Sequence, residues 1–139
     1  MGIFFTSDTH FSHFNIIDFC KRTIYEIGGV VPACYSRADA CGKMNDLIVQ
    51  RWNEKIGPTD EVYHLGDFAF CSPKIADQIL CKLNGIKYLI RGNHDRKIIK
   101  REEVSKHFQW IRDYYVLMVH DVMQDKQDET VFHQYHQPR

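Results

Sequence analysis

The sequence predicts an α/β fold built from parallel β-α-β units, and three observations carry that reading. Short apolar runs alternate with stretches of helical spacing. Three of those runs, Ile3–Phe5, Glu61–Leu65 and Ile86–Ile90, lead directly into Asp, His or Asn residues. Such side chains are poor packing material, and the carboxyl edge of an open α/β sheet is where ligands bind. Three strands tipped in this way predict one converging site.

The chain of 139 residues is read as a single domain, 1–139, large enough for a core. Formal net charge is zero, so no global field steers the molecule toward nucleic acid or an anionic membrane. A local basic groove for nucleic acid stays open. No apolar run approaches the roughly 20 residues that span a bilayer, and no export signal opens the chain, so a cytoplasmic location without membrane contact is expected. Met1-Gly2 fits a loose myristoylation pattern, but the simpler reading is that Gly2 opens the first strand. Five cysteines without a Cys-x-x-Cys argue against a disulfide framework and a thiolate zinc site, and for reduced thiols.

Ile3–Phe5 is short and apolar, which fits a central strand. In an extended segment residues i and i+2 share a side, so Asp8 and His10 can reach one cation together. A hard oxygen and an imidazole suit a borderline divalent ion; the plain alternative is that Asp8 caps a helix and His10 packs. Phe11, Phe14, Ile17 and Cys20 recur at helical spacing, with Ser12 as N-cap. His13 faces either the site or solvent. Lys21–Gly42 is irregular, broken by Gly28-Gly29 and Pro32, and reads as a long surface loop.

Lys43–Lys55 is an amphipathic helix with Met44, Leu47, Ile48, Arg51 and Trp52 on one stripe, closed by Gly57-Pro58. Glu61–Leu65 is the second strand, and Gly66 permits the tight backbone that turns Asp67 toward the site. His64 is out of phase with Asp67 and reads as structural. Ser72-Pro73 starts a helix carrying Ile75, Ala76, Ile79, Leu80 and Leu83, and Asn84-Gly85 ends it. Ile86–Ile90 follows as a strand. Arg96–Lys106 is charged, a solvated helix face or a basic face meeting a phosphate-bearing substrate. Trp110–His120 reads as one further strand and Thr130–His133 as the last, with a tail of 134–139 that frays.

Taken together, Asp8-Thr9-His10, Gly66-Asp67 and Gly92-Asn93-His94-Asp95 resemble the calcineurin-like metallophosphoesterase superfamily. Asn15-Ile16-Ile17, Met44-Asn45, Trp52-Asn53, Val62-Tyr63-His64-Leu65-Gly66-Asp67-Phe68 and Arg91 add the look of a small bacterial and phage branch. The resemblance covers roughly residues 1 to 95. It implies an α/β/β/α sandwich of two mixed sheets flanked by helices, here shortened at the C-terminus. It implies two divalent metal ions as cofactors, Mn, Fe, Zn or Ni. Asp8 and His10 would hold the first ion, Asp67 would bridge both, and Asn93 would bind the second through its amide oxygen. His94 would act as general acid or phosphate contact, and Asp95 would orient it. Arg91 would bind a phosphate oxygen or form a surface salt bridge.

The pattern of that superfamily continues to a His-Tyr-Pro-like segment and then to Gly-His-x-His, and no Gly-His-x-His occurs here. Val131-Phe132-His133-Gln134-Tyr135 loosely resembles the first of these, which makes His133 the candidate for a further ligand of the second metal, ahead of His120 and His136. The implied activity is hydrolysis of a phosphomonoester or phosphodiester by metal-bound hydroxide, on a phosphate-ester substrate such as a nucleotide. Two cations about 3.5–4 Å apart neutralise such an anion and acidify water. The alternative is a truncated or non-catalytic relative acting as a binding or interaction module, or as an oligomer that supplies the missing surface.

Overall fold

A computed structural model describes residues 1–22, 36–120 and 129–133. The strands and helices alternate along the chain as β1 (Ile3–Thr6), α1 (Phe14–Phe19), α2 (Arg37–Lys55), β2 (Glu61–His64), α3 (Pro73–Lys82), β3 (Ile86–Ile90), α4 (Glu102–Ser105), β4 (Phe108–Arg112), β5 (Val116–His120) and β6 (Glu129–His133). Strands β1 to β4 pair in sequence order into a sheet that is parallel throughout. β5 and β6 form a second, antiparallel sheet, with Val116 opposite His133. The α/β class, with a parallel sheet flanked by helices, is the one the alternation predicts.

The two faces of the parallel sheet are packed differently. One face carries Val62 and Leu89 into a core completed by Trp52 and Ile56 from the α2 end and by Ala76, Ile79 and Leu80 of α3. The other carries a ladder of aromatic rings. Phe5 stacks on Tyr63 at 5.6 Å, Tyr63 on Tyr88 at 4.6 Å, and Trp110 lies 5.1 Å from Tyr88. One ring per strand is the cross-strand arrangement that aromatic side chains favour. A smaller core of Ile17, Ala40 and Met44 joins α1 to α2.

Several expectations are corrected here. β1 is an edge strand among the described strands rather than a central one, and Phe5 is exposed. The helix expected from Phe11 begins only at Phe14, with His13 rather than Ser12 as N-cap. Phe11 is drawn instead into a parallel bridge with Ala69, and Ser12 takes a left-handed φ of 62°. The loop expected to run to Gly42 ends at Ser36. Its side chain accepts from the Asp39 backbone N–H while the Asp39 carboxylate accepts from the Ser36 backbone N–H, a reciprocal cap that starts α2 six residues early. The charged stretch after Asp95 is mostly turn, with only the short α4 helical. The strand expected over Trp110–His120 is two strands in different sheets, because the chain leaves the parallel ladder after Arg112. The α3 start is as expected: Ser72 accepts from the Ile75 N–H and Pro73 is first in the helix. The tail 134–139 and most of the expected loop, 23–35, lie outside the described residues.

Candidate metal centre

Beyond the ends of β1 and β2 the two chains stay zipped. The N–H groups of Asp8, His10 and Phe11 donate to the carbonyls of Gly66, Asp67 and Phe68 at 2.9, 3.1 and 2.9 Å, and Phe70 returns a bond to Phe11 at 2.8 Å. This pairing brings the loop of Asp8 and His10 against that of Asp67. The convergence does not follow from the alternation of an extended strand. Asp8, His10 and Asp67 have φ values of 52°, 48° and 55°, all left-handed. Such backbone costs a non-glycine residue of order 1–3 kcal/mol and persists only where its surroundings enforce it.

Two buried side chains do the enforcing. Asp95 is fully buried, and its Oδ2 accepts from the N–H of Gly92 at 2.8 Å and of Asp67 at 2.9 Å, while Oδ1 accepts from Phe68 N–H at 2.8 Å. Burial pushes its carboxyl pKa up, and those three N–H donors oppose the rise. His64, also buried, is held by the second network. Thr9 Oγ1 donates to the Phe68 carbonyl at 2.8 Å, so it accepts from His64 Nε2–H at 2.9 Å, and His64 Nδ1 accepts from Gly66 N–H at 3.1 Å. That chain of bonds assigns the neutral Nε2–H tautomer. Desolvation lowers the His64 pKa from 6.5 to about 3, which keeps it neutral. The structural role expected for His64 is what these contacts describe.

Gly92 completes the approach. A side-chain carbon there would collide with the backbone N and carboxylate of Asp67, so only glycine lets the two loops come this close.

The result is a cluster in which Asp8, His10 and Asp67 offer ligand atoms within 4.8 Å of one another. His10 Nε2 lies 3.5 Å from Asp8 Oδ1, and its Nδ1 is 3.1 Å from His13 Nδ1. A ligating histidine ordinarily donates its second N–H outward, and His13 is placed to accept it. Burial, then the neighbouring His10, His94 and Arg22, holds the His13 pKa below the usual range. The backbone N–H of His94 donates to Asp67 Oδ1 at 3.0 Å, orienting that carboxylate. The His94 ring lies 6.2 Å from that of His10. Phe70 sits among the histidines, 4.0 Å from His13, 4.4 Å from His94 and 5.1 Å from His10. Asn93 and His94 line a cleft of about 450 Å³ together with Phe70, Arg96 and Lys97.

The remaining expected residues sit differently. The Arg91 guanidinium pairs with Asp113, its Nε 2.8 Å from the carboxylate, which is the salt-bridge arrangement. The hydrogen bonds of Asp95 run to backbone N–H groups of Gly92, Asp67 and Phe68 rather than to the His94 ring. His133 ends β6 opposite Val116; His136 lies outside the described residues. Arg22 and Phe70 went unread in the sequence. Arg22 donates to the carbonyls of Asp8 and Thr9 from 13 residues or more away, and no local pattern announces such a clamp. Phe70 is two residues beyond a recognisable motif and looks like ordinary core.

The sequence matches the family described as calcineurin-like phosphoesterase over residues 1–136. The chain belongs to that family. That family binds divalent metals, and Asp8, His10 and Asp67 form a candidate ligand group here. The uncharacterized protein MJ1445 of Methanocaldococcus jannaschii is 35% identical over 96 residues, 68% of this chain and 47% of the relative. The crystal structure of AQ665 from Aquifex aeolicus, a protein of unknown function, is similar with a TM-score of 0.57 at 27% identity, covering 88% of this chain and 56% of that one. The chain thus spans about half the length of these relatives. Among the described residues no helix is long and apolar enough to cross a membrane.

Proposed function

We propose that the chain is a metal-dependent phosphoesterase that hydrolyses a phosphomonoester or phosphodiester at the strand-end cluster. The observation that carries this reading is the convergence of Asp8, His10 and Asp67 within 4.8 Å on three strained residues. Two carboxylates and an imidazole are a donor set that fits a borderline divalent cation. Cations held there supply charge neutralisation for the ester and acidify water.

Asp8 and His10 would hold the first ion, and Asp67 would serve both. Asn93 serves the second ion through its amide oxygen, with His133 as a further ligand. His94 is the general acid or phosphate contact: it is anchored to Asp67 by its backbone and borders the cleft. Asp95 positions the site by holding the Asp67 turn. Arg91 reaches a phosphate oxygen only by giving up Asp113, so Arg96 and Lys97, which line the cleft beside His94, are better placed to attract the anion. Nucleotides, nucleic-acid ends and phosphorylated small molecules are the substrates to try, with Mn as the first metal.

The test is Mn²⁺-dependent hydrolysis of bis(p-nitrophenyl) phosphate and p-nitrophenyl phosphate, with Asp67→Asn in parallel. Turnover that requires metal and falls by about 100-fold or more in the variant is expected, since even a supporting contact to a metal ligand is worth roughly 10–100-fold. Folded protein that turns over neither ester with Mn²⁺, Ni²⁺, Fe²⁺ or Zn²⁺ would overturn the proposal and favour a non-catalytic binding module.

A further inference from the structure

A second set of ligand-type side chains meets where α3 packs against the end of α4. Asp77 and Cys81 lie one turn apart on α3 and therefore share a face. His107 follows α4, and its Nε2 is 2.7 Å from Asp77 Oδ1 and 4.0 Å from Cys81 Sγ. All three ligand atoms fall within 4.8 Å of one another. Asp77 and His107 are half-buried, and Cys81 is an exposed free thiol.

The way the three meet separates the possible roles. A Cys–His–Asp nucleophile needs the carboxylate on one ring nitrogen and the thiol on the other. Here both face the same nitrogen, so no relay can form. A purely structural staple between α3 and α4 needs the Asp77–His107 bond alone and gives no reason for the thiol to join it. Three donor atoms within 4.8 Å of one another are close enough to share one centre. The Lys106 ammonium, 3.1 Å from Asp77 Oδ1, already places positive charge there. More than half of that lysine side chain is exposed, and an exposed ion pair of this kind is weak enough for a divalent ion to displace. Hydrogen bonds from His107 and Lys106 hold the Asp77 carboxyl below its usual pKa, in the anionic form a ligand requires.

We propose that Asp77, Cys81 and His107 bind a thiophilic divalent cation of the zinc class, with the fourth position open to solvent. Thiolate and imidazole together select zinc, or cobalt in its place, over magnesium, calcium and manganese. On binding, the Cys81 thiol gives its proton to solvent and the thiolate forms the metal–sulfur bond, while His107 Nε2 gives up the proton it shares with Asp77 and the ring keeps its proton on Nδ1. The ion ties α3 to the end of α4. The site uses no residue of the strand-end centre and stands whether or not that centre hydrolyses phosphate esters.

Cobalt distinguishes the two sites, because the strand-end donors include no sulfur. Titration of the full chain with Co²⁺ should raise a near-ultraviolet sulfur-to-cobalt charge-transfer band that Zn²⁺ abolishes. Cys81→Ser, on an exposed position, should lose the band while circular dichroism shows the fold intact. Asp77→Asn and His107→Gln should each weaken Co²⁺ binding by at least the roughly 10–100-fold that a supporting contact is worth. A folded chain without the band, a band that survives Cys81→Ser, or one whose midpoint ignores both Asp77→Asn and His107→Gln would each overturn the site.

Discussion

Asp8, His10 and Asp67 on one side and Asp77, Cys81 and His107 on the other are clusters of the same size built by opposite means. The first stands on loops, with all three residues in left-handed backbone and two buried polar side chains, Asp95 and His64, holding the loops together. The second stands on regular helix and the second residue after one, half-buried apart from the exposed Cys81, with no member at positive φ. The loop-built cluster can aim donors that no single element would align, but it depends on every bond beneath it. The helix-built cluster costs almost nothing to assemble and holds its donors less firmly. The difference lies in what supports the donors rather than in the donors themselves.

That contrast predicts unequal responses to mutation. Asp95→Ala strands three N–H groups in a buried place and releases the Asp67 turn. The expected loss is about 3 kcal/mol or more in chemical denaturation, whereas Asp77→Ala should leave the denaturation midpoint close to wild type. Equal losses would show that the two clusters are supported alike. Gly92→Ala forces a methyl group into Asp67. It should destabilise by about 1–3 kcal/mol and weaken Mn²⁺ binding, with the cobalt–sulfur band unchanged; normal Mn²⁺ affinity would mean the two loops need not touch.

The smallest effect per step is one of pH. Folded His64 takes a proton only near pH 3, while the unfolded chain takes it near the ordinary 6.5. On acidification the unfolded state is protonated first, so stability declines as pH falls below 6.5 and is indifferent above it. The slope from this group is at most about 1.4 kcal/mol per pH unit. His64→Gln should flatten the decline by about half that slope at pH 6.5 and by nearly all of it about a unit lower, and an unchanged slope would assign it to other groups.

Much of the fold was legible because it rests on local rules. The strand Ile86–Ile90 and the start of α3 were read correctly from an apolar run and a Ser-Pro cap. The start of α2 is legible too: Ser36-Arg37-Ala38-Asp39 has the spacing of a capping box, a signal that outweighs the breakers Gly28-Gly29 and Pro32 upstream of it. Trp110–His120 misled for a different reason. Both halves are strand-like, and nothing in them says which sheet each half joins. The motif residues stood out by type, since Asp, His and Asn at strand ends have little packing use. The parts of Phe70 and Arg22 were hidden, because each acts through neighbours distant in the chain or from an ordinary-looking position.

By itself the sequence determined the alternation of strands and helices, the serine caps that start α2 and α3 and the set of polar residues at the strand ends. Those follow from periodicity and from the bonding habits of short side chains, which act over a few residues. The tertiary structure decided that Asp8, His10 and Asp67 meet in left-handed backbone rather than along an extended strand, and that Asp95 serves the Asp67 turn. It also decided that Asp77, Cys81 and His107 share a point in space. Backbone strain and contacts across 28 or 30 residues of chain are settled only when buried donors must find acceptors in a packed interior, and no local pattern records that outcome.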